Sequence, residues 1–381
     1  MITKNLMSSH FFIKNRFEID SLYAIMMYKI VMEFFVMFKK IDAYVLFNVS
    51  NRFYFTKFDA SNGCVILTKT EKIFFTDFRY IDAAKKTLTD WKVIQITGNY
   101  LPLVIDELKR LKVRNIGIEE NTLSVDMFNK IKSAIKVGDA KMRLVSSFVD
   151  IATVRAIKTE DEITKMAAAQ VIAQKAFSKV TSNIKAGISE REVAAELLYE
   201  MQYLGASGAS FDIIVAFGEN SALPHHKTGD RRLVKNDIIL IDMGAKLNGY
   251  CSDMTRTFSI GDVSGQLKEL HALVLEAQNM CLKNIRAGMT GHEADIIARE
   301  FFKANGYEKE FGHSLGHGIG IDVHESTRVA ATSQDILKPN MVITVEPGLY
   351  IDGIGGVRIE DMIVIQEDGQ ALNLTNMDKS L

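Results

Sequence analysis

The chain has 381 residues, 47% of them apolar, enough for more than one hydrophobic core and too few for a protein of many membrane spans. A net charge of −1 provides no field for nucleic acid or an acidic lipid surface. The three cysteines, Cys64, Cys251 and Cys281, are scattered and lack CxxC spacing, which argues against a disulfide framework or a thiolate zinc site and fits a reducing, cytoplasmic setting.

Residues 1–25 read as an extension, with Met26, Met27 or Met32 as alternative starts. An apolar run over 21–38 is interrupted by Lys29 and Glu33 and has no small-residue cleavage site after it. An amphipathic helix packed on the first domain is expected there, rather than a signal anchor. Short strands rich in β-branched and aromatic residues are expected over 41–47, 64–68 and 73–77, followed by helices over 80–88 and 100–111. A strand over 115–119 and a helix over 124–135 complete the alternation. This order predicts an α/β domain over 26–153 with a mainly parallel or mixed sheet. A second domain is expected over 154–381. Its first helix opens at the capping box Thr159-x-x-Glu162, runs to about Ile184 and stops at Gly187. Ser189-x-x-Glu192 caps the next helix, which ends near Gly205.

The second domain contains an internal repeat. Residues 183–192 read NIKAGISERE and residues 284–293 read NIRAGMTGHE. Downstream, ILIDMG at 239–244 is matched by ITVEPG at 343–348, which sets Asp242 and Glu346 in equivalent places 104 residues apart. Each half then supplies a second acid, Asp253 in the first and Glu360 in the second. The expected architecture is an α+β domain of two helix–helix–strand copies about a pseudo-twofold axis.

An acid at the end of an apolar strand is costly to bury unless it is paired or metal-bound. Asp253 follows Asp242 by eleven residues, which suits a hairpin, and Gly353, Gly355 and Gly356 provide a turn between Glu346 and Glu360. The plainer alternative is four strand-end acids paired with Arg256 and Arg358. The repeat favours a shared site, and two divalent cations would relieve the repulsion among its carboxylates. Oxygen and imidazole ligands suit Mn²⁺, Co²⁺, Fe²⁺ or Zn²⁺, with Mn²⁺ the first expectation. His313, His317 and His324 crowd into GHSLGHGIGIDVHE, where Gly312, Gly316, Gly318 and Gly320 let the backbone pass close to a site. His225 and His226 lie in a polar loop before the first acidic strand, and either one could face the site.

The motifs IDMGA, GYCSDMTRTF, FGHSLGHGIGIDVHE, TVEPGLY and GGVRIED resemble those of the pita-bread metallopeptidases, in the branch of Xaa-Pro aminopeptidases and Xaa-Pro dipeptidases. The resemblance covers about residues 41–375, and its first part resembles that branch's N-terminal domain. It implies that Asp242 chelates one metal ion, that Asp253 and Glu360 bridge two, and that His317 and Glu346 complete the shell of the other. It also implies that Glu346 is the general base, that His225, His313 and His324 line the substrate side, and that Arg358 supports the ligands from behind. The segment Glu325-Ser326-Thr327 departs from the family by lacking a nearby proline. The expected activity is an aminopeptidase acting on peptides with proline at the second position, in a homodimer, with the dipeptidase as the alternative and a non-catalytic peptide-binding module as a third reading.

Overall fold

The structure, a computed structural model, describes residue 38, residues 40–138 and residues 141–381. The expected extension over 1–25 lies outside the described residues, as does the apolar run over 21–38 except for Phe38. The chain divides into two compact units, Met1–Val154 and Arg155–Leu381.

Among the described residues of the first unit, six strands form one mixed sheet. They are β1 (Ala43–Leu46), β2 (Cys64–Thr68), β3 (Lys72–Thr76), β4 (Lys92–Gln95), β5 (Asn115–Ile118) and β6 (Arg143–Ser146), in the order β4-β3-β2-β1-β5-β6. The β1–β2 and β2–β3 pairs are antiparallel and the other three are parallel. Alternate side chains of the central strands feed two cores. Ala43, Val45, Cys64, Ile66, Ile73 and Phe75 pack on one face, against residues of α3 (Leu101–Arg110) and α4 (Val125–Gly138). Tyr44, Leu46, Val65, Leu67 and Phe74 pack on the other, with Ala84 of α2 (Ile81–Thr87). Burial on both faces explains why these strands read as continuous apolar runs. Elements that the sequence reading missed include the exposed-edge strands β4 and β6, and α1 (Val49–Thr56), whose Asn48 cap accepts from the Asn51 amide. Helix α5 (Phe148–Ala156) contains the division point.

The second unit is a duplicated pita-bread fold. Its first half comprises α6 (Glu160–Thr181), α7 (Glu190–Tyr203), β7 (Gly208–Ala209), β8 (Ile214–Phe217), β9 (Ile238–Met243), β10 (Ala245–Leu247), β11 (Tyr250–Cys251) and β12 (Met254–Ser259). The second half comprises α8 (Gly265–Asn284), α9 (Gly291–Ala304), β13 (Gly316–Gly318), β14 (Glu325–Val329), β15 (Val342–Val345), β16 (Gly348–Ile351), β17 (Gly355–Arg358), β18 (Asp361–Ile365) and β19 (Ala371–Asn373). Strand order is β12-β9-β8 in one main sheet and β14-β13-β15-β18-β19 in the other.

The repeat is visible in backbone hydrogen bonds. Gly187 N–H donates to the Leu233 carbonyl and Gly288 N–H to that of Leu337, each at 2.8 Å. The N-caps Ser189 and Thr290 both close full capping boxes, with Glu192 and Glu293. They bridge to Arg232 and Ile336 respectively. Asn236 and Asn340 take the same left-handed turn, with φ of 67° and 65°. Asparagine tolerates that region better than most residues. The halves are also bonded to each other. Glu360 N–H donates to the Thr255 carbonyl at 3.1 Å, Thr257 Oγ1 donates to the Arg358 carbonyl at 2.9 Å, and Arg256 Nη2 pairs with Asp361 Oδ1 at 2.8 Å.

Candidate metal centre

Strand register delivers the acids. In the β9–β12 pair Asp242 lies opposite Thr255 and Met243 opposite Met254, and residues 244–253 return the chain through β10 and β11, so Asp253, the residue before β12, comes back at the end of β9 that carries Asp242. In the β15–β18 pair Val345 lies opposite Asp361, which makes Glu346 and Glu360 the next residues outward on the two strands. The expected hairpins are present, with two small strands inserted in each. His317 sits at the centre of β13. Its neighbours cannot carry side chains: a Cβ on Gly316 would lie 2.0 Å from the Thr344 carbonyl oxygen, and one on Gly318 would lie 2.2 Å from that of Ser326.

One ligand atom each from Asp253, His317 and Glu360 lies within 4.8 Å of the others. His317 Nε2 is 3.8 Å from Asp253 Oδ2 and 3.5 Å from Glu346 Oε1. His317 Nδ1 faces the Gly318 carbonyl at 3.1 Å. Donation there places the proton on Nδ1 and leaves the Nε2 lone pair aimed at the acids, the tautomer that a metal ligand needs. Asp242 stands beside this group with Oδ2 held by Arg358 Nη2 at 2.7 Å.

The electrostatics are those of crowded anions. Burial pushes the Asp253 carboxyl well above the usual range, and Glu360, Asp242 and Glu346 push it further. Glu360 is raised for the same reasons, by burial and then by Glu346 and Asp242. Glu346 is raised to about 8, chiefly by burial. Asp242 is raised less far, because Arg358 opposes the burial cost. Burial, with His324 adjacent, lowers His317 to about 4, so its imidazole is neutral.

Arg358, expected behind the ligands, is 4% exposed and donates to Asp242, Thr255 and Tyr350. The alternative pairing with Arg256 does not occur in the described structure, where Arg256 serves Asp361. His313 is joined to the cluster through Tyr350. Its Nδ1 faces the Ser314 carbonyl at 2.8 Å, so Nε2 accepts from the Tyr350 hydroxyl at 2.9 Å. The exposed His324 ring meets His317 edge-on at 4.3 Å between centroids. Of the loop pair, His226 is turned to the buried carboxylate of Glu190, 2.9 Å away. His225 lies close enough to Asp242 and His313 to disfavour their protonated forms.

Three supporting residues escaped the sequence reading. Thr255 Oγ1 donates to Glu360 Oε2 at 2.6 Å. Thr344 Oγ1 donates to Glu346 Oε1 at 3.2 Å and accepts from His317 N–H at 3.1 Å. Tyr350 connects His313 to Arg358. The two threonines had a usable signal: each lies two residues from a predicted acid and therefore on the same strand face.

Does this donor set fit a cation? Asp242 Oδ1 and Asp253 Oδ1 are buried with no hydrogen-bond partner. A buried oxygen left unsatisfied is costly, and here two of them accompany a bare imidazole nitrogen. Oxygen-rich carboxylates with one histidine suit a divalent ion, whose charge reverses the mutual repulsion.

Comparison with known proteins agrees with this geometry. Metallopeptidase family M24 matches residues 164–367, and the creatinase/prolidase N-terminal domain matches residues 38–157. An Xaa-Pro dipeptidase of Pyrococcus furiosus is 41% identical over 287 residues, covering 74% of this chain and 81% of the relative. The solved structure of an Xaa-Pro dipeptidase from Bacillus anthracis is similar with a TM-score of 0.85 at 40% identity, covering 90% of this chain and 95% of that one. An X-Pro aminopeptidase from Thermotoga maritima matches with a TM-score of 0.83 at 38% identity, over 90% of this chain and 98% of that one. With its duplicated fold, its clustered acids and a profile match over more than half its length, the chain belongs to metallopeptidase family M24.

Proposed function

We propose that the protein is an Xaa-Pro dipeptidase that uses two divalent metal ions, with Mn²⁺ the first candidate. The observation that carries the metal-dependent reading is the group of Asp253, His317 and Glu360 beside orphaned buried oxygens of Asp242 and Asp253. Asp242, Asp253, His317, Glu346 and Glu360 would hold the ions. The sequence motifs pointed first to the aminopeptidase. The relatives favour the alternative, since both the Pyrococcus furiosus relative and the Bacillus anthracis structure are named Xaa-Pro dipeptidases.

Bound divalent ions supply Lewis acidity and a water made acidic enough to attack the scissile carbonyl near neutral pH. Glu346 would accept the proton of the attacking water and deliver it to the leaving nitrogen. His225 donates a hydrogen bond to the developing oxyanion, while His313 and His324 hold the proline side. An Xaa-Pro bond is a tertiary amide without N–H, so recognition falls on the ring and the free carboxylate rather than on a backbone donor. The test compares Gly-Pro with a longer Xaa-Pro-Xaa peptide, with and without exhaustive metal removal. The dipeptidase reading requires cleavage of Gly-Pro alone, lost on chelation and restored by Mn²⁺. Preferential cleavage of the longer peptide would return the assignment to the aminopeptidase.

A further inference from the structure

The segment from Phe217 to Gly229 carries His225 and has almost no regular structure beyond a 3-10 turn over Gly218–Ala222. Chain of this kind must find acceptors for its donors elsewhere. One carboxylate meets four of the segment's groups. Glu190, the first residue of α7, is 0% exposed. Its Oε1 accepts from Phe217 N–H at 3.0 Å and from Asn220 Nδ2 at 2.8 Å. Its Oε2 accepts from Gly229 N–H at 3.0 Å and lies 2.9 Å from His226 Nε2. All four partners belong to the segment that presents His225. On the other side of His225, the Pro224 carbonyl accepts from Arg358 Nη1 at 3.4 Å. His225 is therefore spanned by two fixed points, one tied to Glu190 and one to the arginine that holds Asp242.

Two comparisons argue against a merely local role for Glu190. An acid in the first turn of a helix gains from the helix dipole while remaining in water, and Glu192 of the same turn already serves the cap. Burying a second carboxylate is costly unless its hydrogen bonds are made, and here they are made to a distant loop. In the other half of the repeat the same position, after the N-cap Thr290, is Gly291. A Cβ there would lie 1.9 Å from the Arg328 carbonyl oxygen, so strand backbone fills the space that the Glu190 carboxylate reaches into.

We propose that Glu190 is the positioning residue for His225: its buried carboxylate fixes the 217–229 loop in the one arrangement that presents the His225 ring to the substrate. The proposal rests on the role given to His225 under the proposed function. The test is a double-mutant cycle on Gly-Pro hydrolysis with Glu190→Gln, His225→Ala and the double variant, read as kcat and KM, with metal content measured on each. Glutamine keeps the shape but turns an NH₂ donor toward loop donors. Misplacement of a catalytic group by about 1 Å typically costs about a hundredfold, so E190Q is expected to lose about that factor, mainly in kcat, with metal content unchanged. The double variant is expected to be no slower than H225A alone. Additive losses, or an E190Q enzyme as active as wild type, overturn the proposal. So does a crystal structure of E190Q with the His225 ring in its wild-type place, a readout that does not depend on substrate. If E190Q fails to fold, the same cycle with His226→Ala decides, with a smaller loss of about tenfold expected from one missing tether. A wild-type enzyme inactive on every Xaa-Pro peptide counts against the proposed function alone, and the cycle then runs on whichever peptide it cleaves.

Discussion

The two halves of the catalytic unit share their caps, their Asn236 and Asn340 turns and the register that ends each main strand in a carboxylate. They part company at the histidines. Phe217 pairs with Ile239 in the first half and Gly318 pairs with Ile343 in the second. That register sets His317 where the first half has Ala216. At the start of the second helix of each half, Glu190 reaches a loop and Gly291 receives a strand. Duplication thus builds a nearly symmetric bed of acids, and the departures from symmetry supply the imidazole and the tethered loop. A peptide has two different ends, and a strictly symmetric site would not tell them apart.

Changes within the cluster should hurt most, at a duplicated acid as at the histidine that only one half supplies. Glu346→Gln keeps the shape and removes the proposed base, and a loss of at least about a thousandfold in kcat is expected from general-base deletion. Gly-Pro hydrolysis near the wild-type rate would refute that role. His317→Ala should lower metal content as well as activity, measurable by metal analysis after dialysis. Full metal retention would remove His317 from the ligand set.

Gly291→Ala tests the strand side of the comparison. Its new methyl meets backbone that cannot swing away, and overpacking of this kind costs about 1–3 kcal/mol, readable as a lower urea midpoint at unchanged slope.

Glu325 anchors the second-half loop as Glu190 anchors the first. Burial pushes its carboxyl up, but Lys158 and Arg155 overcome that and hold it at about 2. A depressed folded pKa means the stabilisation is fully present above the unfolded value and is lost as pH falls from about 5 toward 2. The span corresponds to about 3 kcal/mol. Wild-type stability should therefore fall more steeply than that of Glu325→Gln across that acid range. Parallel curves would mean that Lys158 and Arg155 contribute no such bias.

The smallest effects are expected at the duplicated helix caps. Ser189→Ala and Thr290→Ala each remove a helix cap, at about 1 kcal/mol. Near-equal losses in urea melts would extend the structural repeat to its energetics.

Much of this was legible in the sequence. Caps, glycine stops and apolar strands are local signals, so Thr159, Ser189 and the strand ending at Asp242 could be read directly. The acids were legible because duplication printed them twice. Hydrogen bonds that join distant segments left weaker traces. Glu190 reads as one more acid in a helical first turn, because nothing in SEREV announces that its side chain turns inward to Phe217 and Gly229. The choice between His225 and His226 depends on the same tether. The edge strands β4 and β6 were missed because each has exposed polar residues at both ends and only two half-buried apolar ones between, short of the apolar run of the central strands.

The bonds from Thr255, Arg256 and Thr257 to residues 358–361 have a consequence for protein engineering. The connection at Asp262, whose side chain is 84% exposed, separates two fragments that each hold half of the acids. Expressed apart, each would carry unmatched carboxylates and an uncovered sheet edge; brought together, they would complete each other. Such a split enzyme would report the proximity of two fused proteins as recovered peptidase activity. Inactivity of the mixed, purified fragments at every ratio would show that the cut destroys more than the link.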